Sequence, residues 1–361
     1  MKLACRFLTA AATAAIMGAS VFAQSAPELN FDSRSDLVKP PALGEVAGVA
    51  TNSKGQIFVL ARTGHAYATL GDERTFYHGG SRLFQFDATG KFIREIGQGI
   101  YSLTFASQVR VDPQDNVWTV DAGSNILTKF DSEGKWLMVI GRKPETINVR
   151  RQPGVVARVV DTSSVAPLAN PNPPTGGDGS GPKSEGFNRP SDVAFDKAGN
   201  VYVADGMGVN NRIAVYNADG NWVTGWGKTG SGPGEFKGVK GIVIDAAGNV
   251  YVADAGNNRI QVFDSKGTFK SEIKGIGTPQ ALCITGGGTQ YIYSSNSNDP
   301  ESLDNGEIYK VSLDGKVVGK FGRAGRLLKE FNVTNSLDCR ADNSLLVGEV
   351  GAWRVQKVTL K

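Results

Sequence analysis

The sequence predicts an all-β protein folded as a six-bladed β-propeller with four-stranded blades. Two observations support this prediction. The first is an internal repeat at a spacing of about 40–60 residues, each copy of which reads as strand, turn, strand. The second is a further hairpin after most copies, which brings each unit to four strands. Four strands per repeat are typical of a propeller blade, and no segment shows the sustained 3.6-residue periodicity of a helical solenoid.

Two copies of the repeat align almost without adjustment. They are Pro190–Asp205 and Val239–Asp254, and both end in Ala-Gly-Asn-Val-Tyr-Val-Ala-Asp. A third copy is Ala106–Asp121, and weaker ones begin near Val46, Pro279 and Thr334. Apolar residues alternate within each copy, and the Asp-x-x-Gly-Asn segments supply turn residues that tolerate a left-handed backbone. These copies predict six blades.

The two ends of the chain predict how the ring closes. The sixth copy ends at Lys361 after three strands, over 336–340, 344–348 and 353–360. Leu29–Val38 has no repeat of its own. We therefore expect this N-terminal segment to supply the outer strand of the last blade, which hides two sheet edges.

The first residues predict export. Lys2 and Arg6 precede the apolar, alanine-rich stretch Phe7–Phe22. Small residues before a cut after Ala23 complete the pattern of a secretory signal peptide over 1–23, so we expect a periplasmic or secreted protein. The apolar run is shorter than the roughly 20 residues that cross a bilayer. The remainder, 24–361, is predicted to be one propeller domain without a membrane span.

Charge excludes one class of partner. The formal net charge is +4, and the loss of Lys2 and Arg6 with the peptide leaves +2. The remaining basic residues are scattered among acidic ones, which argues against nucleic-acid binding. We expect a monomer.

Two cysteines remain outside the predicted signal peptide. A pair in an exported protein is a candidate disulfide. The repeat alignment places Cys283 and Cys339 on neighbouring inner strands, offset by one residue, and adjacent strand positions point to opposite faces. We therefore expect two small buried apolar residues, with the disulfide as the alternative.

Blades three and four carry a family resemblance. Gly230–Phe236, followed by a blade opening and by Val250–Asp264, resembles an NHL repeat. The resemblance extends over residues 42–361, and the order of the blades is similar to bacterial relatives of peptidyl-α-hydroxyglycine α-amidating lyase. It implies a zinc ion on the propeller axis, held by three histidines at the openings of alternate inner strands. An arginine and a tyrosine near the zinc ion would assist cleavage of the hydroxyglycine.

The residues of that site do not carry over. The zinc positions map onto Ser107, Lys240 and Asn335. Serine and asparagine are poor zinc ligands, and a protonated lysine repels the cation. The tyrosine maps onto Met207, and Arg62 alone matches the first-blade arginine. Because the chain has two histidines in total, it cannot form a three-histidine site. We expect no zinc-dependent amidating lyase activity and predict no cofactor, leaving bound calcium or zinc open.

Both histidines belong to one loop. His65 and His78 lie on the first-blade insertion, with Asp72 and Glu73 between them. Two histidines and a carboxylate are a conceivable metal site, but ligands on a long loop lack preorganisation. We treat them as weak candidates and favour solvated loop residues.

Three long insertions predict a functional face. They span 62–81, 143–186 and 294–306, and propeller topology places all three on the face that carries the crossovers between blades. Long loops are frequently functional, so we expect a binding surface on that rim. The Pro- and Gly-rich insertion 143–186 is either a lid or a segment without a role.

Some recurring residues are assigned to structure. One arginine opens the third strand in four blades, which favours hydrogen bonds to loop carbonyls over catalysis: Arg82, Arg212, Arg259 and Arg354. Four tryptophans lie in strands or at their ends and are expected to pack between blades: Trp118, Trp222, Trp226 and Trp353.

The inner-strand openings and their neighbours form the candidate binding set. Its members are Arg62, Ser107, Ser191, Asp192, Met207, Lys240, Gln280 and Asn335. We expect an exported, non-catalytic binding propeller that takes a peptide, a small anionic ligand or a protein partner, with Lys240 and Arg62 as anion contacts. Two alternatives stay open. One is a lyase or hydrolase with a diverged site in which Lys240 is the base. The other is a protein-interaction scaffold.

Overall fold

The computed structural model describes residues 26–38, 43–63, 80–141, 186–207, 210–296, 306–340 and 343–361, and the backbone of two short strands between 68 and 76. The described chain forms six four-stranded antiparallel sheets arranged as a β-propeller, which confirms the predicted fold class. The first strand of each sheet lies innermost, where β2 contacts β8 and β18 contacts β22.

The first half of the chain forms blades one to three. The first strand, β1 (Phe31–Arg34), belongs to the last blade. Blade one contains β2 (Glu45–Thr51), β3 (Ile57–Arg62), β6 (Ser81–Phe86) and β7 (Phe92–Ile96), with the pair β4 (Ala68–Thr69) and β5 (Thr75–Phe76) between β3 and β6. Blade two contains β8 (Ala106–Val111), β9 (Val117–Asp121), β10 (Ile126–Phe130) and β11 (Trp136–Gly141). Blade three contains β12 (Asp192–Phe195), β13 (Val201–Asp205), β14 (Arg212–Tyr216) and β15 (Trp222–Trp226).

The second half forms blades four to six. Blade four contains β18 (Val239–Ile244), β19 (Val250–Asp254), β20 (Arg259–Phe263) and β21 (Phe269–Ile273). Blade five contains β22 (Pro279–Ile284), β23 (Tyr291–Asn296), β24 (Glu307–Ser312) and β25 (Val317–Phe321). Blade six contains β28 (Thr334–Asp338), β29 (Ser344–Glu349), β30 (Arg354–Leu360) and β1. Two short parallel pairs lie in crossovers, β16 (Lys228–Thr229) with β17 (Glu235–Phe236) and β26 (Arg323–Ala324) with β27 (Glu330–Phe331), and a 3-10 turn spans Ala255–Asn257.

The N-terminal strand closes the ring as predicted. β1 pairs antiparallel with β30, from Phe31 opposite Leu360 to Arg34 opposite Lys357. The Phe31 ring lies 5.0 Å from that of Phe321 and 6.2 Å from that of Phe331, so β1 also packs against blade five. Closure through both ends of the chain leaves blade six with four strands, like the other five.

The Asp-Gly segments form the hairpin turns that the sequence predicts. In blade four, Asp245 Oδ1 accepts the N–H groups of Ala247 and Asn249, and its Oδ2 accepts the Asn249 amide at 2.7 Å. Gly248 has φ +86°, a left-handed conformation that glycine adopts without strain. These turns define the turn face of the propeller. The opposite end of the axis, where the inner strands begin, is the mouth face.

The expectation of two unbridged cysteines is wrong. Cys283 and Cys339 form a disulfide, with Cα atoms 5.9 Å apart. The expectation treats the one-residue offset between the two cysteines as if both strands belonged to one sheet. The inner strands of blades five and six belong to two sheets packed face to face, so the facing side chains come from opposite faces of equivalent strands. The offset is what directs the two sulfur atoms toward each other.

The structure confirms the structural role of three arginines. Arg212, Arg259 and Arg354 each pair with the acid that ends the second strand of their blade: Asp205, Asp254 and Glu349. Each also donates to carbonyls of the crossover before its blade. Arg82 differs, because its guanidinium pairs with Glu95 on β7 and lies over the Phe84 ring.

Three of the four tryptophans pack within or between blades as expected. Trp118 is buried and donates to Asp112, Trp222 lies against Tyr216, and Trp226 lies against Phe263. The expectation for Trp353 is wrong. It is 62% exposed, because it occupies a left-handed position (φ +56°) in the loop between β29 and β30 instead of a strand.

Several sequence predictions fall outside the described residues. These are the signal peptide over 1–23, the two histidines His65 and His78, and most of the three insertions. The strands that flank the insertions end or begin at the mouth face, as the predicted topology requires. Within the described ranges, no helix has the length and apolar character needed to span a membrane.

Candidate binding site at the axial mouth

Bulges at the start of the inner strands build the mouth. The antiparallel pairing of β2, β8, β18, β22 and β28 with the second strand of each blade shifts register within the first residues of the strand. In β8, Ala106 pairs with Asp121 and Gln108 with Val120, so Ser107 is the extra residue. In β28, Asn335 is the extra residue for the same reason. A bulge leaves its residue outside the ladder and re-aims its side chain.

All eight candidate residues line one cavity. The cavity has a volume of about 30 Å³ and lies on the axis at the mouth face. Gln108, Gly241 and Ala281 complete its wall. Since one water-sized group needs roughly 10–15 Å³, the cavity accommodates about two such groups, which is the size of a carboxylate and not of a peptide.

Arg62 is held in place on one side of the mouth. Its Nε donates to the Ala106 carbonyl at 2.8 Å, and its Nη1 pairs with Glu45 at 3.0 Å. The guanidinium lies 3.9 Å from the centre of the Phe105 ring. The cation is thus held at Nε and Nη1, while its Nη2 group has no acceptor among the described residues.

Asp192 is already neutralised by Arg110, which approaches from below the mouth. Arg110 Nε and Nη2 donate to the two Asp192 oxygens at 2.8 and 2.7 Å. The same carboxylate accepts the backbone N–H groups of Val193 and Ile242. Arg110 also donates to carbonyls of blades five and six, so it ties four blades together across the axis.

Lys240 has no counter-ion within the part of the chain that the structure describes. Its ammonium makes no hydrogen bond or ion pair with any described residue, while its backbone carbonyl accepts from Ser191 Oγ at 2.7 Å. Burial, with the nearby positive charges of Arg189 and Arg62, lowers the pKa of Lys240 below its ordinary value of 10.5. The mouth therefore carries positive charge that the described acids do not balance.

A polar cluster fixes the floor of the mouth. Asn335 Nδ2 donates to the carbonyls of Ala47 and Ser107 at 2.6 and 2.9 Å. Gln108 accepts from Ser336 Oγ at 2.7 Å. The Ser107 hydroxyl is buried and has no hydrogen-bond partner among the described residues. Such a group is uncommon in a folded interior and marks a place for a water or a ligand.

Sequence reasoning missed Arg110, Gln108 and Arg189. Gln108 and Arg110 follow the bulged Ser107 on β8, where a repeat alignment does not show which way a side chain points. Their partners come from distant blades. Arg189 has φ +59° just before blade three. The position of Arg110 could have indicated its role. An arginine among the alternating apolar residues of an inner strand needs a partner near the axis for its charge.

The residues present do not fit the zinc ion that the family resemblance implies. Its three positions bring together Ser107, Lys240 and Asn335, and the Asn335 amide donates its hydrogens to two carbonyls. A lysine ammonium and an amide engaged in this way are not zinc donors. Across the described ranges, no three His, Cys, Asp or Glu side chains come together as a metal site, and both histidines lie outside those ranges.

A second cavity opens at the other end of the axis, on the turn face. It has a volume of about 260 Å³ and takes residues from all six blades. Its wall is mostly apolar, with Val111, Val243 and Ile284 among its members, and includes both disulfide cysteines. Arg110 lines this cavity and its partner Asp192 lines the mouth, so the ion pair separates the two.

Sequence comparisons agree with this architecture. A family profile described as a 6-bladed beta-propeller (DUF5128) matches residues 183–335. The peptidyl-alpha-hydroxyglycine alpha-amidating lyase 1 of Drosophila melanogaster is 26% identical over 345 residues, which cover 87% of this chain and 57% of that protein. The peptidyl-glycine alpha-amidating monooxygenase B of Xenopus laevis is 26% identical over 336 residues, covering 87% and 34%.

This chain is a six-bladed β-propeller with weak homology to amidating lyases. It also matches a probable peptidyl-alpha-hydroxyglycine alpha-amidating lyase of Caenorhabditis elegans, at 25% identity over 187 residues that cover 50% of this chain and 43% of that protein. The chain thus spans between about a third and just over half of the length of these relatives.

Solved structures show the same fold. The propeller superposes on virginiamycin B lyase from Staphylococcus aureus with a TM-score of 0.53 and 12% identity, covering 92% of this chain and 100% of that one. A gluconolactonase from Xanthomonas campestris gives a TM-score of 0.57 at 12% identity, covering 93% and 95%. At these identities the likeness extends to the fold alone.

Proposed function

We propose that the protein is an exported binding propeller that holds an anionic group of its ligand, most simply a carboxylate, in the axial mouth. The observation that carries this proposal is the unbalanced Lys240 ammonium in a cavity with Arg62. Asp192, the acid that lines this cavity, is already bound by Arg110 and two backbone N–H groups. A carboxylate would supply the missing negative charge, with charge-assisted hydrogen bonds.

The size of the mouth defines how a ligand is held. A cavity of about 30 Å³ accepts a carboxylate head and leaves the rest of the ligand outside, toward the looped rim. The free Ser107 hydroxyl supplies one more donor at its wall. A peptide with a free C-terminus has this shape, and so does a small organic acid. We retain the NHL assignment of the repeats and the export signal over 1–23 as parts of the same proposal.

The test compares two peptides that differ in one group. A short peptide acid and its C-terminal amide are titrated into the protein by calorimetry, with acetate as a minimal ligand. We expect binding of the acid and of acetate, and at least tenfold weaker binding of the amide, about 1.4 kcal/mol. Equal affinity for acid and amide, or no binding of either ligand by the folded protein, would overturn the proposal.

A matched pair of variants locates the site. Lys240→Gln removes the axial cation and should abolish the preference for the acid. Lys237→Gln removes the same charge from an exposed side chain three residues earlier and should leave the preference for the acid intact. If the two variants behave alike, the anion binds elsewhere.

One observation favours an enzyme as the second candidate. The lowered pKa of Lys240 is typical of a lysine that acts as a base or nucleophile. A lyase or hydrolase would then turn over a ligand bound at the same mouth. The test is whether the wild-type protein consumes a peptide or lactone substrate. Consumption that is absent with Lys240→Gln and retained with Lys237→Gln would favour this candidate over binding alone.

A further inference from the structure

The surroundings of the Lys240 amine suit a covalent reaction. The amine donates to no acceptor among the described residues, so no hydrogen bond or ion pair with them stabilises its protonated form. The backbone carbonyl of the same residue is held by Ser191, and the bulge at the start of β18 directs the side chain into the mouth. The side chain is partly buried, which removes part of its hydration.

Positive charge around this amine favours its neutral form. The charges that lower its pKa, besides burial, are those of Arg189 and Arg62, and Asp192, which lines the same cavity, is paired with Arg110. Glu45 lies on the far side of Arg62, paired with that residue. A lysine that is desolvated beside other cations loses its proton more readily, so a larger fraction of it is the nucleophilic neutral amine at a given pH.

Arg62 lies where an acid group next to a carbonyl would bind. Its Nη2 is free of partners among the described residues, and it lines the same cavity of about 30 Å³ as Lys240. In an α-oxo acid the carboxylate and the carbonyl carbon are directly bonded. A carboxylate held by Arg62 therefore brings a carbonyl carbon within the same small space as the amine.

We propose that Lys240 forms an imine with a small α-oxo carboxylate bound at the axial mouth. The Nζ lone pair attacks the carbonyl carbon, and the carbonyl π electrons move to oxygen, which takes a proton. The resulting carbinolamine loses its hydroxyl group with a proton as water, while nitrogen and carbon form the C=N bond. The step needs no oxidant or reductant. This proposal rests on the proposed binding of carboxylates and names their class.

The test traps the imine by reduction. The protein is incubated with pyruvate or glyoxylate and sodium cyanoborohydride, and the modified lysine is identified by peptide mass spectrometry. We expect an adduct at Lys240 in excess over the exposed Lys237, about tenfold for each unit by which the Lys240 pKa is lowered. Equal labelling of both lysines, or no adduct at Lys240, would overturn the proposal.

Two variants locate the adduct, and acetate binding by the wild-type protein separates this proposal from the proposed function. Lys240→Arg lacks the nucleophilic amine, so it should give no adduct at position 240. Lys237→Arg should leave the adduct at Lys240 unchanged. Acetate binding without an adduct in the wild-type protein contradicts the imine alone, whereas loss of both contradicts the carboxylate site as well. The wild-type mapping decides the question even if a variant does not fold.

Discussion

Cys283, on the inner strand of blade five, is disulfide-bonded to Cys339, which directly follows the inner strand of blade six. Both residues are buried in an apolar cluster with Leu337 and Val347. The bond joins two sheets that also meet through side-chain packing and through a hydrogen bond from Ser295 Oγ to the Thr334 carbonyl. It links the inner strand of blade five to the blade that the N-terminal strand completes.

Removal of this bond should lower stability. The double variant Cys283→Ala/Cys339→Ala is expected to lose about 2–4 kcal/mol of unfolding free energy, because the cross-link restricts the unfolded chain. Urea denaturation with and without dithiothreitol measures the effect. The reductant should destabilise the wild-type protein and leave the double variant unchanged. An identical urea midpoint for oxidised wild type and double variant would contradict the prediction.

The fold was accessible from the sequence because its determinants are local. The Asp-x-x-Gly-Asn turns and the alternation around them recur, so each blade can be placed from a short segment such as Val239–Asp254. The disulfide was not accessible by the same route. It depends on how two sheets face each other, and a one-residue offset has opposite meanings within a sheet and between sheets.

The candidate site was predictable in part. Repeat alignment placed five of the eight candidates at the inner-strand openings, with Asp192 and Arg62 close by, and the family resemblance added Met207. The structure gathers all eight around one cavity. The alignment did not show that Asp192 is neutralised, because its partner Arg110 comes from a different blade. The net charge of the mouth therefore required the three-dimensional structure, and whether these residues bind a ligand remains a prediction.

The closing strand depends on one aromatic side chain. Phe31→Ala should cost about 1–3 kcal/mol, less than for a fully buried phenylalanine, since Phe31 is partly exposed while it packs on Phe321 and Phe331. Asp32→Ala is the matched control. Its ion pairs with Lys329 and Lys361 are exposed, so the change should cost less stability than Phe31→Ala. Urea denaturation measures both variants, and a larger loss for the Asp32 variant would refute this account of the strand.

The buried arginine of blade four should matter more than the exposed one of blade one. Arg259 pairs with Asp254 and Glu272 and donates to two carbonyls, with its side chain 5% exposed. Arg259→Met leaves Asp254 buried without its cation, so we expect a loss of about 3–5 kcal/mol. Arg82→Met breaks a pair with Glu95 at a side chain that is 35% exposed, for which we expect about 0–1 kcal/mol. Similar urea midpoints for the two variants would contradict the structural role assigned to Arg259.

The pH dependence of acetate binding follows from the state of Lys240. Binding of an anion needs the protonated amine, and burial with the neighbouring Arg189 and Arg62 lowers the pKa of this group below 10.5. Above the pH range in which acetate itself takes up a proton, the affinity should therefore be constant while Lys240 is charged and fall as pH rises through that lowered pKa. In Lys240→Arg the guanidinium stays charged, so the affinity should stay level over the same range. Calorimetric titrations at a series of pH values distinguish the two proteins. A shared profile would mean that another group controls binding, because the only difference between the proteins is the group that titrates at the mouth.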